Sequence, residues 1–243
     1  MTQKKRLDAA LQEQYPQYSR TQLNSWIVQG KVTVDGKPMT KAGVAVKPTA
    51  EIILTHEEPR YVCRAGFKLE KALEYFNIDV NGLVILDAGL STGGFSDCLL
   101  QKGAARVYGV DVGHGQVHEK IRQHPNVIVM EKTNLRHLES LPEQVDLATL
   151  DLSFISLLKV IPVVKQLLKP NGQLITLIKP QFEAEKHEVG RKGIITDPLL
   201  HKKIVDKVIA GIIEAGFTFH GVIESPIKGT QGNTEFLAYF TRA

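Results

Sequence analysis

Two cysteines, Cys63 and Cys98, are all that 243 residues contain. That is too few and too isolated for a disulfide framework, and no Cys or His spacing suits a metal ion, so a reducing compartment is expected. Long apolar runs are missing as well. The richest window, Val145 to Leu168, is interrupted by Asp146, Asp151 and Lys159, so no membrane-spanning segment is expected. The first residues are charged and lack the apolar core of a signal peptide. Internal repeats and low-complexity stretches are absent too. A cytoplasmic protein without membrane or metal partners is the resulting expectation.

What is present divides unevenly. The apolar share of 43% is enough for a full core, and the length suits one domain with a smaller companion. Residues 1–47 hold eight Lys or Arg against three acids, a surplus of +5 in a chain whose net charge is +4. The basicity therefore belongs to the N-terminus, which points to a polyanionic partner there.

Helical spacing at Leu7, Ala10 and Leu11 predicts a first helix ended by Pro16. Ser19 is a candidate N-cap for a second helix bearing Leu23, Trp26 and Ile27, with Gly30 as its stop. Lys31-Val-Thr-Val alternates as a strand does, and Asp35-Gly36 reads as a hairpin turn. Strand-like pieces follow near 44–46 and 51–54. This small module resembles the S4-type RNA-binding domain, through Tyr18-Ser-Arg-Thr-Gln-Leu and Ile27-Val-Gln-Gly-Lys-Val-Thr-Val-Asp-Gly-Lys-Pro. Arg20, Lys31 and Lys37, together with Lys4, Arg6, Arg60 and Arg64, are its candidate RNA contacts.

Polar residues and Pro59 mark a linker, and the expected domains are 1–56, a linker at 57–63, and 64–243. A helix is predicted over 65–76, carrying Lys68. Strands are then expected at 83–87, 106–111, 127–130, 145–150, 173–178, 218–224 and 234–240, with helices at 94–102, 116–123, 156–168 and 198–215. Such alternation predicts a mainly parallel sheet with helices on both faces and its ligand at the carboxyl ends of the strands.

The first of these strands runs into Asp87-Ala-Gly-Leu-Ser-Thr-Gly-Gly-Phe. Strand, glycine turn and helix suit a nucleotide-type cofactor. Asp111 follows the second strand, where an acid often meets a ribose. Spacing alone leaves the cofactor open, and it also allows Gly93 and Gly94 simply to permit close packing. Asn134 lies past the third strand, where an amide could read a base edge. Asp151 and Lys179 directly follow two apolar strands, and charges at such places are costly unless paired or functional.

The motifs together resemble the TlyA-type haemolysin and rRNA methyltransferase family, whose catalytic domain is FtsJ-like. They are Arg64-Ala-Gly-Phe-Lys-Leu, the turn from Asp87 to Asp97, Val110-Asp-Val-Gly-His-Gly-Gln, Thr133-Asn-Leu-Arg and Asp151-Leu-Ser-Phe-Ile-Ser. Ile178-Lys-Pro-Gln-Phe-Glu, Val189-Gly-Arg-Lys-Gly-Ile and Gly229-Thr-Gln-Gly-Asn-Thr-Glu-Phe complete the set. Cys63, Ala65 and Tyr61 depart from the family pattern.

The resemblance implies an α/β fold, a Rossmann-like class I methyltransferase sheet of seven mostly parallel strands behind a small α+β RNA-binding domain. It also implies S-adenosylmethionine as cofactor and a ribosomal RNA ribose, in naked RNA or a ribosomal subunit, as the target of 2′-O-methylation, with cytidine as the nucleoside. A catalytic set of Lys68, Asp151, Lys179 and Glu235 comes with it. So does a cofactor site at Asp87, Gly89, Ser91, Thr92, Gly93, Gly94, Phe95, Asp111, Val112, Asn134, Leu135 and Asp151. The alternatives are a non-catalytic RNA-binding assembly factor and a membrane-active haemolysin.

Overall fold

The computed structural model describes residues 4–55, 59–185, 187–190, 193–229 and 232–243. The expected boundary between 56 and 57 lies outside these, as do motif residues 191–192 and 230–231. The chain divides into two compact units, Met1–Pro59 and Arg60–Ala243.

In the first unit a two-residue strand β1 (Lys5–Arg6) leads into α1 (Leu7–Gln14) and α2 (Arg20–Val28). Ser19 caps α2 in a full capping box with Gln22, satisfying backbone donors at both positions. Strands β2 (Val32–Val34) and β3 (Lys37–Met39) form the hairpin. Asp35 and Gly36 both take positive φ, 49° and 75°, the combination a two-residue turn of this hand requires. β4 (Ala45–Val46) pairs with β1, and β5 (Ile52–Leu54) pairs with β2. Leu7, Leu11, Leu23, Ile27 and Val32 form the fully buried centre of this unit.

The second unit opens with α3 (Ala65–Tyr75) and then alternates: β6 (Val84–Ala88), α4 (Gly94–Gln101), β7 (Arg106–Val110), α5 (Glu119–Arg122), β8 (Val127–Met130) and β9 (Val145–Leu150). It continues through α6 (Ile161–Leu167), β10 (Leu168–Ile178), α7 (Pro180–Glu183), α8 (Pro198–Glu214), β11 (Phe217–Glu224) and β12 (Phe236–Arg242). The seven-stranded sheet has the order β11-β12-β10-β9-β6-β7-β8. Its five central and outer strands β8, β7, β6, β9 and β10 are parallel, and β12 runs antiparallel between β10 and β11. Chain order reverses direction across the sheet between β6 and β9, which makes their carboxyl ends the switch point.

Period-two alternation assigns the two faces. Leu86, Ala88, Ala148, Leu150 and Leu174 join one core with residues of α6 and α8, while Ile85, Val107, Leu147 and Ile175 join another with α3 and α4. Tyr61 belongs to this second core, and its hydroxyl donates to Glu70 at 3.0 Å.

The expected elements depart from the observed ones at a few places. α5 begins only at Glu119, where His118 Nδ1 accepts from the backbone N–H of Lys120. The helix expected over 156–168 is a 3-10 turn at 157–159 followed by α6, which restarts with Pro162 in its first turn, where a missing N–H costs nothing. β1 and α7 are too short for periodicity to reveal.

α3 lies close against α4, and Gly94 is where they meet. A Cβ there would sit 2.5 Å from Cys63 Sγ and 3.0 Å from the backbone nitrogen of Gly66. Gly94→Ala is therefore expected to destabilise the protein by about 1–3 kcal/mol through overpacking, read as a lower urea midpoint with an unchanged m-value.

Candidate active site

A cavity of about 540 Å³ opens beside the switch point, within the range of roughly 300–1,000 Å³ usual for small-molecule sites. Seven of the expected cofactor residues line it: Gly89, Ser91, Asp111, Val112, Asn134, Leu135 and Asp151. Gly89 has φ +88°, and a Cβ on it would strike the carbonyl oxygen of Asp151. Only glycine lets the turn after β6 pass this close to the end of β9.

Asp111 ties the turn after β6 to the loop after β7. Its two carboxylate oxygens accept from the backbone N–H groups of Ser91 and Gly113, each at 2.7 Å. A carboxylate has about four acceptor positions, so capacity remains for the hydroxyls of a nucleoside. Asn134 directs its Oδ1 to the backbone N–H of Arg136 at 3.1 Å. Its oxygen thus caps a short 3-10 turn, 135–137, which fixes the orientation of the amide at the cavity wall.

Asp87, Thr92, Gly93, Gly94 and Phe95 are not among the cavity walls. For Asp87 the reason is strand alternation, which turns its side chain toward α4. There it is fully buried, accepting from Ser96 Oγ at 2.6 Å and Thr149 Oγ1 at 3.2 Å. Burial pushes its carboxyl up to about 6, although the two hydroxyls pull the other way. Gly93 and Gly94 serve close packing, against Ile121 and α3 respectively.

Gln116, Thr133, Ser153 and Phe154 also line the cavity. All four lie inside motifs already singled out; Thr133 adjoins the expected Asn134 and Leu135, whereas the types of Gln116, Ser153 and Phe154 alone give no reason to select them. Phe154 is 90% exposed and has a positive φ of 63°.

The four expected catalytic residues form two ion pairs. Lys179 Nζ lies 2.6 Å from Asp151 Oδ1 and donates to Ser153 Oγ at 2.9 Å. Lys68 Nζ lies 2.5 Å from Glu235 Oε2, with both side chains buried. The sheet explains the meeting. Ile178 pairs with Phe236 across β10 and β12, so Lys179 and Glu235 are the next residues outward on adjacent strands. Asp151 leaves β9 beside them, its N–H donating to Ala88 at 2.9 Å. α3 packs on β12 and delivers Lys68.

Of the expected RNA contacts, Lys4, Arg6, Arg20, Lys31 and Lys37 belong to the first unit, and Arg60 and Arg64 to the second. Arg6 and Arg20 are exposed, yet both donate to the buried carboxylate of Asp8, at 2.9–3.0 Å. Those guanidinium groups, Arg6 foremost, hold the Asp8 carboxyl well below the usual carboxylate range. Arg60 pairs with Glu70 at 2.6 Å, over the ring of Tyr61.

Residues 61–242 match the model of the FtsJ-like methyltransferase family, and residues 5–52 match that of the S4 domain. The chain belongs to the FtsJ-like methyltransferases, enzymes whose methyl donor is S-adenosylmethionine, and carries an S4 domain in front. It is 41% identical over 242 residues to the 16S/23S rRNA (cytidine-2'-O)-methyltransferase TlyA of Mycobacterium tuberculosis, covering 98% of this chain and 90% of that protein. It is 40% identical to Hemolysin A of Brachyspira hyodysenteriae, covering 97% of this chain and 99% of that protein. A solved structure described as a candidate hemolysin from Streptococcus thermophilus superposes with a TM-score of 0.76 at 38% identity, covering 100% of this chain and 90% of that one.

Asp87 has a pH signature. Its folded-state pKa of about 6 stands above the ordinary 3.8, so between these values the folded state binds more protons and stability falls as pH rises. Asp87→Asn removes that term. Across the window from 3.8 to about 6, wild type is expected to lose stability relative to this variant as pH increases, measured by urea unfolding at successive pH values.

Proposed function

We propose that this protein transfers a methyl group from S-adenosylmethionine to the 2′-hydroxyl of a ribose in ribosomal RNA, with cytidine as the nucleoside. The observation that carries the reading is the double ion pair, Lys179 with Asp151 and Lys68 with Glu235, beside a nucleoside-sized cavity. The names of the relatives from Mycobacterium tuberculosis and Campylobacter jejuni, both (cytidine-2'-O)-methyltransferases, support the substrate.

When bound, S-adenosylmethionine supplies a methyl group on a sulfonium with a good leaving group. The protein's part is then to position the hydroxyl and take up its proton. Asp111, with its spare acceptor capacity, holds the cofactor's ribose. Lys179 contacts the hydroxyl and, as the neutral amine, takes up its proton, becoming an ammonium paired with Asp151. Asp151 and Ser153 aim the Lys179 ammonium, and Glu235 does the same for Lys68, which adds a second positive charge near the developing alkoxide. The exposed ring of Phe154 at the cavity offers a face on which a nucleobase stacks.

The S4 unit supplies the RNA grip. Arg6 and Arg20, already aimed by Asp8, meet phosphates, with Lys4, Lys31 and Lys37 adding charge. Arg60 and Arg64 extend the contact in the second unit. A ribosomal RNA substrate, free or in a subunit, puts this work in the cytoplasm. Hemolysin is the name of other relatives, but a paired-lysine site beside a nucleoside-sized cavity suits methyl transfer rather than lysis.

Two outcomes test the proposal. Lys179→Ala is expected to keep S-adenosylmethionine binding in calorimetry yet lose methyl transfer to ribosomal RNA by roughly a hundredfold or more; turnover at the wild-type rate would end the assignment. In the double variant Arg6→Ala/Arg20→Ala, RNA affinity should drop and the slope of log K against log salt should flatten by about 2. An unchanged slope would remove these arginines from the RNA footprint.

A further inference from the structure

The segment from Asp151 to Ser156 crosses the cavity rim without regular structure. Its near end is held at Lys179, through Asp151 at 2.6 Å and Ser153 at 2.9 Å. Its far end is held by Glu183, whose Oε1 accepts from the backbone N–H of Leu157 at 2.7 Å. Leu157 is buried and opens a 3-10 turn that has no side-chain cap of its own. Its N–H has no partner within that turn, so the Glu183 carboxylate is what satisfies it.

Lys179 is the N-cap of α7 and Glu183 its last residue, one turn apart. Between them Phe182 rests on Phe154, ring centres 4.9 Å apart. The rim segment and α7 are therefore joined at three successive places. Between the two polar ones lies the left-handed backbone of Phe154, a conformation a bulky residue keeps only where its surroundings impose it. Burial raises the Glu183 carboxyl, with its hydrogen bonds and the charges of Lys207 and Lys159 opposing. A half-buried carboxylate retained at that cost, one turn from the reacting lysine, calls for a role.

We propose that Glu183 is a positioning residue for Lys179: by holding the Leu157 N–H, it fixes the rim segment so that Asp151 and Ser153 meet the Lys179 ammonium in one geometry. This rests on the reading that Lys179 contacts the ribose hydroxyl. Glu183 touches neither substrate nor cofactor. Its loss acts on the rate at which bound substrate reacts.

The test compares Glu183→Ala, Glu183→Gln and Lys179→Ala in the full chain, with kcat and KM for ribosomal RNA transcripts and calorimetric S-adenosylmethionine affinity. Glu183→Ala should lower kcat about 10- to 100-fold, the scale of a small misplacement of a catalytic group, while RNA KM and cofactor affinity stay within about twofold. Glu183→Gln keeps an oxygen that accepts from the Leu157 N–H and should restore kcat to within about threefold of wild type. If Glu183→Ala does not fold, Glu183→Asp, which withdraws the carboxylate by one methylene, takes its place. Wild-type kcat in Glu183→Ala beside an inactive Lys179→Ala overturns the inference alone. Equal impairment of the Ala and Gln variants also overturns it, since charge and not the hydrogen bond would then be what matters. Full activity in Lys179→Ala removes the underlying reading and this inference with it.

Discussion

Two lysine ammonium groups withdrawn from water, each facing one carboxylate, are the constraint on which the second unit depends. An ion leaves water at a cost of several kcal/mol, recovered only if its partner stands at short range with good geometry, and removing one partner of such a pair typically costs about 3–5 kcal/mol. The partners here come from separate parts of the chain: Lys68 from α3, Asp151 from the end of β9, Lys179 from the end of β10, Glu235 from the start of β12. A slip of one residue between β10 and β12 would turn Glu235 to the other face. The antiparallel register that pairs Ile178 with Phe236 is therefore as much a part of the site as the charged groups themselves.

The same dependence explains what could be seen in the sequence. Local rules were readable. The Ser19 N-cap, the Asp35-Gly36 turn and the helix expected over 198–215 each rest on patterns among neighbouring residues, and each formed where expected. The seven strands were legible because alternation and apolar runs are local patterns. Short elements were not: β1 has two residues, and α7 is a single turn begun by Pro180.

Orientation around the glycine turn was the other obscure point. The resemblance assigns Asp87 to the cofactor site, and its residue type gives no orientation; the alternation that buries Leu86 and Ala88 on one face turns the Asp87 side chain to the other, under Ser96. Partners were hidden for a simpler reason. Lys68 and Glu235 are 167 residues apart, and no spacing rule reaches that far. The family resemblance named them, but only the folded sheet pairs them.

The Asp8 cluster in the first unit has a different consequence. Free arginine side chains carry about 2 kcal/mol of rotamer entropy each, and binding normally removes part of it. Arg6 and Arg20 are exposed but already tethered to one buried carboxylate, so folding has restricted them before any partner arrives. A polyanion that met them would arrest less motion on binding, at the expense of one negative charge kept close behind them. A surface arranged in this way trades long-range attraction for readiness: fewer net charges to draw a partner in, and less motion to still once it is there.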